Sequence, residues 1–468
     1  MFVRNRFQTS FPSPSRTVAL AFLAAVAVGA ILLSLPFCHL PEARAAAVQA
    51  ATPFRNLVRT VFLATSAICV TGLDPIGIQG LSTAGLVVLT VLVQLGGIGI
   101  MTVGTFVFLA AGRSLSVSEE RSVMASTGET KPHDVGAILR STFAFTLAWE
   151  TMGTILLAAR IAALNPDYGF FRALGHGAFY AIMSFCNAGF NPFPEGADLA
   201  ADPLLALPVC ALAIVGGIGF IVHANLLSLR PWRRDRARRG RLSLHSRIVL
   251  EGLFVVLALD LLVFLGLEWN HSFAHFGGTW NRLVAGLFQG VTTRSTGFDG
   301  VPPTGLTPAA QLFTLVMMFV GAAPGSTGGG VKTTTLWVLG ATVVAMFRSR
   351  QCPELHGRTV PRHVVNEAVA VLTMYLGIAG LTTFGLFVTE SPTAANAGSI
   401  LFEAVSAFCN NGLEFRGTTQ ALSPAGQIVL TLAMFAGRVG PVALVLTLFR
   451  PHVADRSKRF PEENIIVG

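Results

Sequence analysis

Four short segments of the sequence share a residue pattern that could coordinate a dehydrated cation. Each contains a glycine followed by Leu or Phe and then by Asp, Asn or Glu, and successive glycines are 117, 108 and 115 residues apart. Glycine lets backbone carbonyls turn toward an ion and replace its water shell. The predicted ligands are these glycines and the two residues before each: Val70, Thr71, Gly72, Asn187, Ala188, Gly189, Ser295, Thr296, Gly297, Asn410, Asn411 and Gly412. The alternative is that the glycines only permit tight turns between packed helices.

Polar residues flank the predicted ligands on both sides. Two positions after the glycines stand residues that we expect at the outer mouth of a pore: Asp74, Asn191, Asp299 and Glu414. Acids grouped there would concentrate cations, although single acids on loops are usually only solvated. Three positions before the glycines stand Cys69, Cys186, Arg294 and Cys409. We interpret the cysteines as reduced, buried thiols, and Arg294 as a structural cation bonded to loop carbonyls or to an acid such as Glu403.

A second repeated feature follows each glycine by 24 to 27 residues. The four copies are Gly96-Gly97-Ile98-Gly99, Gly216-Gly217-Ile218-Gly219, Gly321-Ala322-Ala323-Pro324-Gly325 and Gly437-Arg438-Val439-Gly440. Two features in one register across four quarters predict a fourfold internal repeat.

Arg438 stands in an otherwise apolar run, where placing a charged side chain in the membrane is energetically unfavourable. We expect it to oppose cations electrostatically and to donate hydrogen bonds to a loop; a structural ion pair is the alternative.

The apolar stretch from 306 to 346 is about twice as long as a helix needs to cross a bilayer, so it must be interrupted. Residues 321–330 contain five glycines and one proline, which no regular helix tolerates. We predict a gate there, formed by Gly325, Ser326, Thr327, Gly328, Gly329 and Gly330 together with Arg438. The stretch is not a phosphate-binding loop, because Val331 separates Gly330 from Lys332 and its surroundings are apolar helices.

The composition indicates that a membrane surrounds these segments. Hydrophobic residues make up 52% of the chain and charged residues 12%, and the mean hydropathy is +0.63. Apolar runs long enough to cross a bilayer recur at about 18–37, 81–112, 137–163, 203–229, 247–268, 306–346, 364–389 and 424–449. The net charge of +9 comes largely from arginines between these runs, which argues against nucleic-acid binding.

Shorter, semi-apolar segments at 54–71, 171–188, 280–296 and 400–411 lie between the apolar runs. A half-length helix at membrane depth must be buried in protein or line a path, and its negative C-terminal end would face the ion. The predicted fold is therefore an all-α polytopic membrane protein with eight transmembrane helices and four re-entrant pore helices around a central pore. We place its four repeats, within one membrane domain, at about 17–125, 126–240, 241–355 and 356–450.

Arginine-rich connections predict the orientation of the chain. They are the 230–241 segment, the 348–362 segment and the basic tail around 456–459. By the positive-inside rule these segments face the cytoplasm, as do both short termini.

At the residues quoted above, the chain resembles the Trk/Ktr/HKT superfamily of potassium and sodium transporters, most closely its KtrB-type membrane subunit. The most specific stretches are 66–73, 292–298, 325–335 and 434–441, and the resemblance covers about residues 17–449. It implies K+ uptake across a bacterial inner membrane, with a selectivity filter at the four glycines and gating by the 321–330 loop and Arg438. It also implies homodimers and a cytoplasmic, nucleotide-binding RCK-type regulatory subunit. Two departures are the bulky Asn410 and Asn411 in the fourth loop and the prolines that follow Phe190.

The expected function is gated, channel-like K+ uptake driven by the membrane potential, with Na+ as a candidate modulator and no cofactor in this chain. The first alternative is a Na+-permeable or poorly selective relative. The second is an ion-coupled solute transporter, which would need inverted halves with helices broken at matching positions, whereas only the 306–346 stretch is visibly broken. An enzyme is not expected, because the sequence has no HExxH, paired-histidine or nucleophile motif.

Overall fold

The computed structural model describes residues 14–41, 52–99, 135–192, 199–229, 242–391, 397–415 and 417–440. Its helices are α1 (Pro14–Ser34), α2 (Pro53–Ile68), α3 (Thr83–Ile98), α4 (Val135–Leu164), α5 (Phe170–Cys186), α6 (Pro203–Ile218), α7 (Phe220–Ser228), α8 (Leu244–Glu268), α9 (Thr279–Val291), α10 (Pro308–Met318), α11 (Thr333–Phe347), α12 (Arg362–Glu390), α13 (Ala397–Cys409) and α14 (Pro424–Val439). The predicted all-α polytopic architecture is confirmed. One small exception was not foreseen: β1 (Glu354–Leu355) and β2 (Arg358–Thr359) form an antiparallel hairpin.

Four helices in the described part of the chain are each long and apolar enough to cross a membrane: α1, α4, α8 and α12. Their outward faces carry large apolar side chains that are mostly uncovered by the described part of the protein. Ile31, Leu147, Phe254 and Leu381, one from each helix, are 63–73% exposed. In water such a surface would be unfavourable, whereas lipid tails cover it.

Helices α2, α5, α9 and α13 follow these long helices and are the predicted half-length segments. In α2 every residue from Phe62 to Ile68 is buried, and α13 is buried continuously from Phe402 to Cys409. Each of the four ends three to six residues before one of the repeated glycines. These are therefore pore helices in geometry: short, enclosed by protein and aimed with their C-terminal ends at the glycines.

Helices α3, α6, α10 and α14 begin the second half of each repeat, and all four have side-chain N-caps. Ser82, Asp202, Thr307 and Ser423 accept a backbone N–H from the first turn of their helix. Proline occupies the first position of α6, α10 and α14, where its missing N–H costs no hydrogen bond. A cap and a proline together fix where each helix starts.

These capped starts are also tied to the ends of the long helices. The Ser82 hydroxyl donates to Phe37 O at 2.6 Å, and Arg160 Nε donates to Asp202 Oδ2 at 2.6 Å. The other two repeats use a glutamate at the C-terminus of the long helix. The Thr307 hydroxyl donates to Glu268 Oε1 at 2.5 Å, and the Ser423 hydroxyl donates to Glu390 Oε1 at 2.6 Å. The same joint is thus built four times with different residues.

The expectation that only the 306–346 stretch is broken is wrong. Helices α6 and α7 meet at 93° across Gly219, which has φ +86°. Gly99 and Gly440, the last glycines of two other copies of the second feature, end α3 and α14 with φ +95° and +89°. Left-handed glycine at this position turns the chain out of its helix. The sequence hid the bend because the surrounding run is uniformly apolar.

The basic segment 230–241 and the C-terminal tail, which carry much of the predicted orientation, lie outside the described residues. The 348–362 connection is described, and its Arg348, Arg350, Arg358 and Arg362 are exposed. The hairpin in this connection is held to α8 by a contact between His356 Nε2 and Glu251 Oε2, 2.7 Å apart.

Candidate functional site

The four repeated glycines meet in a closed ring. A Cβ on Gly72 would lie 2.6 Å from the backbone nitrogen of Gly189, and a Cβ on Gly189 would overlap the Gly297 carbonyl. Gly297 in turn lies against Asn411 O and Gly412, and Gly412 against Thr71 O and Gly72. Each copy therefore touches the next in chain order and the fourth touches the first. We call Gly72, Gly189, Gly297 and Gly412 the glycine ring; no larger residue fits without displacing a neighbouring backbone.

Three of the loops reach the ring through the same backbone turn. The N–H of the residue before the glycine donates to the carbonyl five residues earlier, at 2.8–2.9 Å, in Thr71, Ala188 and Asn411. The residue before that one is left-handed, with φ between +52° and +61°, in Val70, Asn187 and Asn410. For a β-branched residue such as Val70 this conformation is strained. It reverses the chain directly after the helix and places successive backbone carbonyls beside the ring.

The third loop differs from the other three. Thr292–Thr296 form a π-helical turn, and the chain becomes left-handed only at Gly297, with φ +71°, and not two residues earlier at Ser295. Its N–H donates to Thr292 O at 3.3 Å, so the helical winding continues one residue further than in the other copies. The ring is fourfold in sequence and only approximately fourfold in geometry.

The second repeated feature has a physical reason in the structure. A Cβ on Gly96, Gly216 or Gly437 would overlap the carbonyl oxygen of Ile68, Phe185 or Phe408, respectively. These carbonyls belong to the last turns of α2, α5 and α13, four residues before the ring glycines. In the third repeat, Gly321 lies instead against Gly329 O and Gly330 of the interrupting loop. The feature therefore allows a helix, or the loop, to pass directly behind each pore helix.

The two asparagines that make the fourth loop bulky tie it to its neighbours. Asn411 Nδ2 donates to Thr293 O at 2.7 Å, which satisfies a carbonyl of the third loop's π-turn. Asn410 Nδ2 donates to Thr71 Oγ1 at 2.9 Å and to Met434 O at 3.0 Å. Both asparagines are at most 1% exposed. Their amides thus provide lateral hydrogen bonds that small residues could not.

The predicted outer-mouth residues follow the ring, and their side chains are engaged differently. Asp74 accepts the N–H groups of Ile76, Gly77 and Ile78 at 2.6–3.0 Å, and Asn191 Oδ1 accepts the Tyr180 hydroxyl at 2.7 Å. Asp299 is exposed. Asp74 and Asn191 therefore stabilise their loops, in addition to any effect on ions.

Glu414 is the outer-mouth acid with an unused carboxylate oxygen, because its Oε2 has no hydrogen-bond partner. Burial, and beyond it the charges of Asp74 and Asp299, raise the pKa of Glu414 to about 8. The three acids are thus close enough to influence one another. A cation near them would favour the ionised form of Glu414.

The prediction that Arg294 bonds to Glu403 is wrong. The Glu403 carboxylate accepts the Phe415 N–H at 3.1 Å and the Thr419 hydroxyl at 3.2 Å. The acid that acts electrostatically on Arg294 is Asp260 of α8. Asp260 is fully buried, and neither of its oxygens has a hydrogen-bond partner. The sequence did show that Asp260 is an acid within a long apolar helix. Spacing alone could not show that it lies near Arg294.

The 321–330 loop lies directly beneath the glycine ring. Gly328 lies beside the Ser295 side chain, and Gly329 lies against Cys409 O. Its backbone is held by hydrogen bonds at both ends: Gly321 N–H donates to Val331 O at 2.9 Å, and Thr327 N–H donates to Gly216 O at 3.3 Å. The interruption predicted at 321–330 is therefore an ordered, bonded loop between α10 and α11.

Arg438 contacts this loop in the way the sequence predicted. Its Nη1 donates to Thr327 O at 2.7 Å and its Nη2 donates to Gly96 O at 2.5 Å. Both acceptors are carbonyls, so an ion pair is not what holds the guanidinium. One arginine from the fourth repeat thus links the third-repeat loop to the first repeat.

A cavity of about 380 Å³ adjoins the loop, and Thr327, Gly329, Lys332, Arg438 and His223 are among its lining residues. Lys332 Nζ donates to Gly328 O at 2.8 Å, and Tyr375 OH donates to Gly330 O at 3.2 Å. Sequence reasoning assigned neither Lys332 nor Tyr375 to the loop. Their contacts add a lysine amine and a buried hydroxyl to its support.

Enclosed pore helices that converge on one glycine ring, with a loop and an arginine beneath it, define a polytopic membrane protein of the cation-transporting class. The chain matches the profile of the family described as TrkH, cation transport protein, over residues 42–459. It belongs to that family, whose members are transporters and not enzymes.

Individual relatives agree with this assignment. The chain is 30% identical to the potassium/sodium uptake protein NtpJ of Enterococcus hirae and 29% identical to the Ktr system potassium uptake protein B of Bacillus subtilis, with 97% of each chain covered in both comparisons. The crystal structure of the potassium transporter TrkH from Vibrio parahaemolyticus is similar with a TM-score of 0.69 at 17% identity, covering 96% of this chain and 87% of that one. This last likeness concerns the fold alone.

Proposed function

We propose that this protein is the ion-translocating subunit of a gated K+ uptake system, driven by the membrane potential and modulated by Na+. The observation that carries the proposal is the closed glycine ring, in which the backbones of four loops meet and the Thr71, Gly297 and Asn411 carbonyls lie at the contacts. Carbonyl cages of this kind replace the hydration shell of K+. The names of two relatives, a potassium/sodium uptake protein and a Ktr potassium uptake protein, agree with a monovalent cation substrate.

The selectivity filter in this proposal is formed by the carbonyls of residues 70–72, 187–189, 295–297 and 410–412, with K+ bound at the ring. The gate is formed by Gly325, Ser326, Thr327, Gly328, Gly329, Gly330 and Arg438. In the conformation described here, Arg438 holds the loop beneath the ring through Thr327 O. Its positive charge also opposes the passage of a cation.

The remaining parts of the proposal rest on the sequence and the family resemblance. The chain is a single membrane domain of four repeats in a bacterial inner membrane, with both termini cytoplasmic. It forms a homodimer and binds a cytoplasmic, nucleotide-binding RCK-type subunit. A Na+-permeable or poorly selective transporter is the second candidate, favoured by the potassium/sodium uptake protein among the relatives.

The experiment is uptake of a K+ tracer into proteoliposomes under an inside-negative potential, with wild-type protein and Arg438→Ala. We expect voltage-driven uptake by the wild type and faster basal uptake by the variant, because the hydrogen bonds that link the loop at Thr327 O to Gly96 O through Arg438 are lost. Arg247→Ala is the control, since the Arg247 side chain is 55% exposed and, among the described residues, forms an ion pair with Glu251 on its own helix. Absence of uptake by correctly folded wild-type protein would contradict the function, and an unchanged rate in Arg438→Ala would contradict the gate.

A further inference from the structure

The side chain of Asn187 joins the second loop of the glycine ring to the third loop and to the 321–330 loop. It is 2% exposed, and its amide group makes bonds in four directions. Oδ1 accepts the Ser295 hydroxyl at 3.2 Å and the Thr296 hydroxyl at 2.9 Å. Nδ2 donates to Ala213 O at 3.2 Å and to Thr327 Oγ1 at 2.8 Å, with a longer contact to Phe185 O at 3.4 Å.

Thr327 carries the connection onward from Asn187. Its hydroxyl donates to Phe185 O, at the end of pore helix α5, at 3.0 Å, and its carbonyl accepts Arg438 Nη1 at 2.7 Å. A continuous path of hydrogen bonds therefore runs from Arg438 through Thr327 and Asn187 to two ring loops. Every member of this path except Arg438 is buried, so an unmade bond would leave a polar group unsatisfied.

The equivalent asparagine of the fourth repeat shows that this path is specific. Asn410 likewise donates one amide hydrogen to a carbonyl of the following helix, Met434 O, but its other hydrogen bond goes to Thr71 of a neighbouring ring loop. Neither of these bonds involves the 321–330 loop. Asn187 and Asn410 thus occupy equivalent positions but have different partners. Of the two, Asn187 is the one that bonds the 321–330 loop.

We propose that Thr327 and Asn187 are positioning residues that couple the state of the 321–330 loop to the ion selectivity of the glycine ring. This inference rests on the proposed K+ filter and gate. Release of the loop removes the Thr327 hydroxyl from Asn187 and Phe185 O, so the amide that joins the second ring loop to the third loses one of the bonds that orient it. The ratio of K+ to Na+ uptake therefore depends on the hydrogen bonds of the Thr327 hydroxyl.

The test compares Thr327→Val, Thr327→Ser and Thr71→Val, each alone and combined with Arg438→Ala. The readouts are the ratio of K+ to Na+ tracer uptake and the basal K+ uptake in proteoliposomes. Thr327→Val removes the hydroxyl with little change of shape, so the K+/Na+ ratio should fall by about fivefold, as expected for one buried hydrogen bond. Thr327→Ser keeps the hydroxyl and should restore the ratio.

The double variants separate coupling from local damage. Arg438→Ala should itself lower the ratio, and adding Thr327→Val should lower it no further, because both changes interrupt one path. Thr71→Val removes the matched hydrogen bond to Asn410, which is not part of this path. Its effect on the K+/Na+ ratio should therefore multiply with that of Arg438→Ala. If Thr327→Val cannot be purified as a monodisperse protein, Thr327→Ala carries the same expectation.

Two results would overturn the coupling alone while the wild type still prefers K+. One is an unchanged K+/Na+ uptake ratio in Thr327→Val. The other is a double variant with Arg438→Ala in which the two reductions of this ratio multiply fully. A wild-type protein without preference for K+ would overturn the proposed filter and the coupling together.

Discussion

At the scale of single residues, the ring glycines are constrained by their neighbours as well as by their own conformation. Gly297 combines φ +71° with a position against Asn411 O, so any side chain there must move the fourth loop. Gly266, in α8, has no atom near its missing Cβ. Two glycines of the same protein therefore differ sharply in what a substitution would do.

Gly297→Ser should lower the preference for K+ over Na+ by about tenfold or more, because the displaced carbonyls no longer match K+. Gly266→Ser is the matched control and should keep the wild-type preference. The measurement is competition between K+ and Na+ for tracer uptake. An unaltered preference in Gly297→Ser would remove this glycine from the filter.

Glu414 predicts how uptake depends on external pH. Its pKa of about 8 means that the carboxyl is mostly neutral at pH 7 and mostly ionised at pH 9. Uptake at low K+ should therefore rise by about twofold or more between these pH values, as the outer mouth becomes more negative. Glu414→Gln should abolish the rise, and a rise that survives in this variant would assign the titration to another group.

At the scale of elements, the close contact between each pore helix and the helix behind it explains the repeated glycines at 96, 216 and 437. Gly216 lies against Phe185 O, whereas a Cβ on the next residue, Gly217, would meet only the Ala322 methyl at 3.9 Å. Adjacent glycines in one helix thus have different structural roles.

Gly216→Ala should destabilise the protein by about 1–3 kcal/mol, since the added methyl forces α6 away from α5. Gly217→Ala should leave the stability within about 0.5 kcal/mol of the wild type, because ordinary van der Waals space is available. Thermal unfolding in detergent compares the two. Equal melting temperatures would contradict the role assigned to the Phe185 carbonyl contact.

The joint between the long helices and the capped helices can also be tested by comparing the stability of two variants. Glu268 is fully buried and accepts both the N–H and the hydroxyl of Thr307. Glu268→Gln should cost about 1–2 kcal/mol, because charge-assisted hydrogen bonds become neutral ones. Glu251→Gln affects the exposed contacts of this carboxylate with Arg247 and His356 and should cost less than about 1 kcal/mol. Similar unfolding temperatures for both variants would show that the joint contributes little.

At the scale of the whole molecule, the sequence was sufficient to predict the membrane class, the pore helices and the interruption at 321–330, because all three depend on hydropathy and repeat spacing. It also predicted the contact of Arg438 with that loop. The bend at Gly219 was missed because an apolar run does not show where a left-handed glycine ends a helix. The electrostatic influence of Asp260 on Arg294 was missed because it depends on how two separate helices pack. The third loop's π-turn depends on lateral bonds such as the one from Asn411 to Thr293 O, which spacing cannot show.

The central claim is that four loops form one filter for K+, and the reversal potential of purified protein tests it most directly. With wild-type protein in a planar bilayer, a tenfold K+ gradient should give a reversal potential near the K+ equilibrium value, about 59 mV. An opposing tenfold Na+ gradient should move that potential by only a few millivolts. A reversal potential that follows Na+ as closely as K+ would contradict the claim.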